Sequence, residues 1–178
     1  MPIGCTSLVP MIVREWGHPS SVLDLGMGMG LWGTCVRQWL DYGVKPYRTK
    51  LVGVEGWEGY RNPIWDIYDR VVCSEIIAFL SGSTETFDCI LLLDVIEHFT
   101  KEDGISALGL IRARLNPGGV AFIGTPAVFM EQGAVYGNEL ERHRCLWNVH
   151  EASASGEVLL DGSVDLYGNK MLLWRMRL

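Results

Sequence analysis

The stretch Ser21-Val22-Leu23-Asp24-Leu25-Gly26-Met27-Gly28-Met29-Gly30 constrains the fold of this chain more than any other. Residues 21–25 read as a short strand, and glycines at 26, 28 and 30 then break it with a turn that tolerates positive φ. Trp32, Val36, Trp39 and Leu40 recur afterwards at helical spacing, with Gly43 as a stop. A strand that turns sharply into a helix is the opening unit of an α/β domain. Such a turn offers free N–H groups and the positive end of a helix dipole to a ligand. The same glycines also fit a bare turn, and Gly28-x-Gly30-x-x-Gly33 spells a dinucleotide fingerprint. Asp24 weighs against the latter. A fingerprint beginning at Gly28 wants an apolar strand before it, whereas here an acid and a glycine interrupt it. An acid two residues ahead of the first glycine suits a ligand carrying an ammonium group.

The rest of the chain repeats the alternation of strand and helix. Residues 51–55 form a second strand ending in Glu55, residues 62–69 a short helix capped by Asn62 with Pro63 first, and residues 70–73 a third strand. Residues 89–93 show no polar alternation, as expected of a strand covered on both faces. Ile105, Leu108, Ile111 and Leu115 mark a helix ended by residues 116–119, and residues 120–124 a fifth strand. Residues 157–160 and 171–176 are strands too closely connected for a helical crossover, hence antiparallel. A leading helix is expected over 7–16. The sum is an α/β fold: a doubly wound, mostly parallel seven-stranded sheet with a C-terminal antiparallel hairpin and helices on both faces. A length of 178 residues fits a single domain.

A net charge of -6 opposes broad adhesion to nucleic acid or anionic membrane. The five cysteines are odd in number, scattered and free of C-x-x-C pairs, which points to reduced thiols rather than disulfides or zinc. The N-terminus lacks a signal-peptide pattern and no apolar run reaches the ~18–20 residues that span a bilayer, so a cytoplasmic location is expected. The four histidines lack the i, i+4 spacing of a helical zinc pair, and no metal is expected. No G-x-S-x-G hydrolase motif is present.

A second cluster follows the fourth strand, where the apolar run gives way to Asp94-Val95-Ile96-Glu97-His98. Ligands of open α/β sheets bind at the carboxyl ends of strands, so Asp94 and Val95 should face the same crevice as the glycine turn. Glu55, closing the second strand, is placed to accept ribose hydroxyls.

Acid-x-G-x-G-x-G after the first strand resembles the class I (Rossmann-like) S-adenosylmethionine-dependent methyltransferases. D-V-x-E-H at 94–98 resembles their small single-domain, ubiquinone-biosynthesis type. Asn116-Pro117-Gly118-Gly119, Thr125-Pro126 and Glu141-x-His143-x-x-x-Trp147 continue the likeness. The resemblance implies S-adenosylmethionine as cofactor, with Asp24, Gly26, Met27, Gly28 and Gly30 around its methionine part. By the same likeness Glu55, Gly56 and Trp57 serve its ribose and adenine, Ser74 or Glu75 its adenine amino group, and Asp94 and Val95 complete the site. His98 and His143 are candidate bases because imidazole is the side chain whose ordinary pKa lies near neutral, with Glu97 orienting a neighbour. Residues 1–20 then become a cap segment, 21–125 the cofactor-binding core, and 126–178 the acceptor region with its closing hairpin. A small-molecule acceptor is favoured over nucleic acid or membrane. Seven tryptophans suit a hydrophobic acceptor or a homodimer interface as well as an ordinary core. An NAD-dependent oxidoreductase shares the glycines and Glu55, and a non-catalytic binding module of the same fold remains a third reading.

Overall fold

The apolar runs at 22–25, 51–54 and 89–93 become strands of a sheet whose two faces are both covered. The computed structural model describes residue 12, residues 15–164 and residues 170–178. Its elements are β1 (Ser21–Leu25), α1 (Leu31–Trp39), β2 (Lys50–Glu55), β3 (Arg70–Cys73), α2 (Ile76–Gly82) and β4 (Phe87–Leu93). There follow α3 (Lys101–Arg112), β5 (Leu115–Pro126), α4 (Val149–Ser155), β6 (Glu157–Val164) and β7 (Lys170–Arg177). The strands form one sheet in the order β3-β2-β1-β4-β5-β7-β6. Strands β1 to β5 pair in parallel, while β7 runs antiparallel to β5 and β6 antiparallel to β7. Strand order therefore reverses between β1 and β4, and the carboxyl ends of these two open a crevice.

Successive side chains of a strand point to opposite faces, and the core divides accordingly. Leu23 and Leu25 of β1 join Ile90 and Leu92 of β4 against Ile76, Leu80, Leu108, Ile111 and Trp147. Val22, Cys89, Leu91 and Leu93 pack on the other face with Trp32, Cys35, Val36, Trp65 and Tyr68. Fully burying one such side chain stabilises by ~1.5–3 kcal/mol, so the lack of polar alternation in β4 follows from having no wet face.

An ion pair, Arg37 with Asp41, is buried at the flank of this sheet. Nε of Arg37, on α1, donates to the Ile67 carbonyl (2.9 Å); Nη1 donates to Asp41 Oδ2 (2.8 Å) and the Thr49 carbonyl (2.7 Å), and Nη2 to Asp69 Oδ2 (3.1 Å). The guanidinium lies 4.1 Å from the Tyr47 ring centroid. Four of the five N–H groups of the fork are satisfied, as burial of a guanidinium demands.

Two expectations are corrected. The helix bearing Leu108 and Ile111 ends at Arg112, and Leu115 and residues 116–119 belong to β5, whose register against β4 shifts between Phe87 and Cys89. The glycine turn is a bulge in a longer strand rather than a helix stop, because Phe87 N bonds the Arg114 carbonyl at 2.8 Å and pairing starts there. Ile105 and Trp39, read as buried helix positions, are 60% and 52% exposed. The leading helix expected over 7–16 falls mainly outside the described residues. Among the described residues no helix is long and apolar enough to cross a membrane.

Candidate active site

The glycine turn is built to let two loops nearly touch. Gly26 has φ +71°, and a methyl group there would sit 2.6 Å from Val95 Cγ2 on the loop after β4. Gly26 N and Met27 N both donate to the Val54 carbonyl (2.9 and 3.1 Å), which hangs the turn on β2. Glu55 pins it from the side: Oε2 accepts from Gly28 N and Oε1 from Trp57 N, each at 2.9 Å. Burial raises the Glu55 carboxyl above its ordinary pKa, against the pull of those two N–H groups.

Asp24 lies beneath the turn, 2% exposed, and accepts from Tyr68 Oη at 2.6 Å. Tyr68 Oη in turn accepts from Gly33 N at 3.1 Å. A methyl on Gly33 would stand 2.3 Å from the Tyr68 ring, so the glycine is there for close approach. Burial pushes the Asp24 carboxyl up to about 7, with the Tyr68 hydrogen bond opposing and the Glu55 charge adding. Asp24 thus braces the turn from below.

A cavity of about 850 Å³ opens at the carboxyl ends of β1, β2 and β4. Of the residues singled out in the sequence, Gly26, Gly28, Glu55, Gly56, Glu75, Asp94, Val95, Glu97, His98 and His143 line it. Asp24, Met27, Gly30, Trp57 and Ser74 do not. Met27 is buried in the core, and Trp57 turns edge-on to Tyr60, with centroids 4.7 Å apart and planes at 88°. Tyr60 takes the place at the wall and donates to Glu141 Oε1 at 2.6 Å. The start of α2, with Ile76 and Ile77, also lines the cavity without having been anticipated, whereas Met130 and Gln132 fall in the stretch 126–178 expected to form the acceptor region. The apolar run after Glu75 was the only signal for Ile76 and Ile77, and seven residues are too few to show a helical period.

The far end of the cavity is made of side chains. Asp94 N bonds the Gly124 carbonyl at 2.9 Å, Asp94 has φ 55°, and residues Ile96–His98 form one 3₁₀ turn. Glu97, 4% exposed, accepts from Thr125 Oγ1 at 3.0 Å. Burial, helped by the neighbouring Asp94 charge, pushes its carboxyl up to about 8. His98 Nδ1 lies 3.3 Å from the Arg142 carbonyl, and burial lowers the ring to about 4, which keeps it neutral at neutral pH. His143 Nδ1 lies 2.7 Å from the Met130 carbonyl, and the two imidazole centroids are 4.9 Å apart. The loop bearing His143 is clamped to the 3₁₀ turn, since Arg144 N and Cys145 N both donate to the Glu97 carbonyl (2.8 and 3.2 Å).

Glu97, His98 and His143 offer ligand atoms within 4.8 Å of one another, a grouping able to hold a metal ion. The expectation of no metal rested on spacing along one helix, whereas this trio is assembled from a turn and a distant loop. Glu55, Glu75, Asp94, Glu97 and Glu141 face the cavity against Arg144 as the basic residue among its lining. Such a wall fits a ligand carrying positive charge, and the imidazole of His98, kept neutral by burial, suits a proton acceptor.

A family model described as a methyltransferase domain matches residues 8–158. No curated protein matches the sequence. Among solved structures, the chain resembles a Burkholderia thailandensis 1,6-didemethyltoxoflavin-N1-methyltransferase with bound 1,6-didemethyltoxoflavin and S-adenosylhomocysteine. The two share 19% identity over 97% of this chain and 76% of that one, with a TM-score of 0.69. A SAM-dependent methyltransferase from Archaeoglobus fulgidus matches at 13% identity, over 97% and 93% of the two chains, with a TM-score of 0.64. The N-methyltransferase NodS from Bradyrhizobium japonicum matches at 14% identity, over 96% and 92%, with a TM-score of 0.63. These likenesses fix the fold, and the family model spans most of the sequence: the chain belongs to the methyltransferase-domain family.

Proposed function

We propose that the protein transfers the methyl group of S-adenosylmethionine to a small-molecule acceptor. The observation that carries this reading is one cavity that reaches from Gly26 and Gly28 at one end to residues 94–98 at the other, with carboxylates between. A sulfonium donor is cationic, and an acidic wall favours it by simple Coulomb attraction. Glu55 takes the ribose end and Glu75 the adenine end. Asp24, Met27, Gly30, Trp57 and Ser74 act from beneath or beside the donor by holding the loops that touch it.

The reaction is an in-line displacement: an acceptor electron pair forms the new bond to carbon, and the carbon–sulfur pair stays on sulfur. Alignment of acceptor, methyl and sulfur is the protein's main task, and such positioning lowers barriers by roughly 7–11 kcal/mol. Removal of an acceptor proton adds about 100-fold to 10,000-fold, and His98 and His143 stand where that proton leaves. The small acceptor accords with the likeness of residues 94–98 to ubiquinone-biosynthesis-type enzymes and with the fold relative solved with 1,6-didemethyltoxoflavin.

The test is calorimetric titration with S-adenosylhomocysteine and NAD side by side, followed by mass-spectrometric detection of methylated products from a panel of small acceptors. Saturable heat with the former alone, and a product heavier by one methyl, are expected. Heat with NAD instead makes the chain an oxidoreductase. Donor binding without any product reduces it to a binding module.

A further inference from the structure

The trio at the acceptor end has more order than proton removal requires. We infer that Glu97, His98 and His143 bind a divalent transition-metal ion instead of taking the acceptor proton directly, and that the acceptor presents an ionisable hydroxyl to that ion. The metal site stands by itself, while the acceptor class rests on the methyl-transfer reading.

The ligand atoms lie within 4.8 Å of one another. Bonds from zinc or a similar ion to imidazole and carboxylate run ~2.0–2.2 Å, which places two ligand atoms about 3–3.5 Å apart at ordinary angles. Binding of the ion would draw the three ligand atoms together by about 1 Å. Both imidazoles turn Nδ1 to a backbone carbonyl, His98 to Arg142 and His143 to Met130. Nδ1–H is then the donor in each ring, and Nε2 keeps its lone pair. Among the described residues neither Nε2 is engaged in a hydrogen bond. A carbonyl behind each histidine is the usual outer support of a metal-bound imidazole, because it fixes both the tautomer and the ring direction. Glu97 has the matching support, a hydrogen bond from the Thr125 hydroxyl at 3.0 Å. The main-chain bonds from Arg144 and Cys145 to the Glu97 carbonyl hold the two halves of the trio together before any ion arrives.

Two imidazole nitrogens and one carboxylate oxygen form a borderline donor set, which selects Zn²⁺, Co²⁺ or Fe²⁺ over Mg²⁺ or Ca²⁺. Three protein ligands leave coordination positions open towards the cavity. A hydroxyl bound there loses its proton to water at a lower pH than it would free in solution. Its oxygen pair forms the bond to the methyl carbon and the carbon–sulfur pair stays on sulfur, giving a methyl ether and a thioether. The metal keeps its oxidation state throughout.

Untagged protein stripped with a chelator and titrated with cobalt(II) chloride tests the site, through visible d–d absorption and calorimetry, with S-adenosylhomocysteine titrated in parallel. One cobalt ion per chain is expected. His98→Ala with His143→Ala, or Glu97→Gln, should abolish binding, while Thr125→Val should weaken it ~10–100-fold. His18→Ala with His150→Ala should leave it intact. Absent cobalt binding, or binding unchanged in the His98/His143 variant, overturns the metal site; if S-adenosylhomocysteine still binds, methyl transfer stands. Cobalt binding without S-adenosylhomocysteine binding keeps the site and overturns the methyl-transfer reading. Phenol and catechol should shift the cobalt bands, and a spectrum indifferent to both overturns the hydroxyl acceptor.

Discussion

At the end bordered by β1 and β2, the cavity wall is largely main chain: Gly26, Gly28 and Gly56, with one carboxylate held by two N–H groups. At the end bordered by β4 and β5 it is side chain: Glu97 and His98 on one turn and His143 on a loop that bends back to it. Backbone walls resist added atoms, because Gly26 and Gly28 hold positive φ (71° and 52°) that strains any side chain. Side-chain walls tolerate truncation structurally but lose their chemistry with it. The two ends should therefore fail in different ways under substitution.

The sharpest separation comes from His98→Ala combined with His143→Ala. Turnover should fall about 100-fold to 10,000-fold while S-adenosylhomocysteine affinity in calorimetry stays within about twofold. An equal loss of both would erase the distinction between the ends. Gly26→Ala attacks the other wall, where the new methyl meets Val95 Cγ2 at 2.6 Å. Denaturant unfolding should show a loss of about 1–3 kcal/mol, partly recovered when Val95→Ala is added.

A gentler probe uses pH. Asp24 has an ordinary value of 3.8 and a folded value of about 7, so between these the folded protein binds a proton that the unfolded chain has released. Stability from this group is whole below about pH 4 and is lost as pH rises towards 7, by at most about 1.4 kcal/mol per pH unit. Melting experiments across that range should show the slope, and Asp24→Asn should flatten it. Last comes Glu55→Gln, which keeps the shape of the donor end but removes its charge. Donor affinity should drop about tenfold, equal to ~1.4 kcal/mol, and the loss should appear in the donor KM.

The sequence spoke clearly where a function is written in neighbouring residues. Residues 21–30 and 87–98 each contain a strand, its end and the turn beyond it, and all three appear in place. What it left silent depends on distance or on burial. Tyr68 and Asp24 meet across 44 positions, so nothing local marks Asp24 as a brace under the glycine turn. His98 and His143 come together only because the Glu97 carbonyl captures the returning loop, a main-chain event invisible to side-chain patterns. Trp57 carries the larger ring, yet Tyr60 reaches the wall because the tryptophan turns edge-on to it. Leu115 kept the helical period but lay past the point where Arg114 and Phe87 had begun to pair.

The clamp on the Glu97 carbonyl has an evolutionary consequence. It anchors the far end of the segment between Pro126 and Arg144, and β5 anchors the near end. Insertions or deletions between those two posts would reshape the roof over the acceptor more than the floor on which the donor rests, which the segment meets where Glu141 accepts from Tyr60. Substrate range in such a molecule can diverge through loop length alone, and closely similar floors would then hide unrelated chemistries above them.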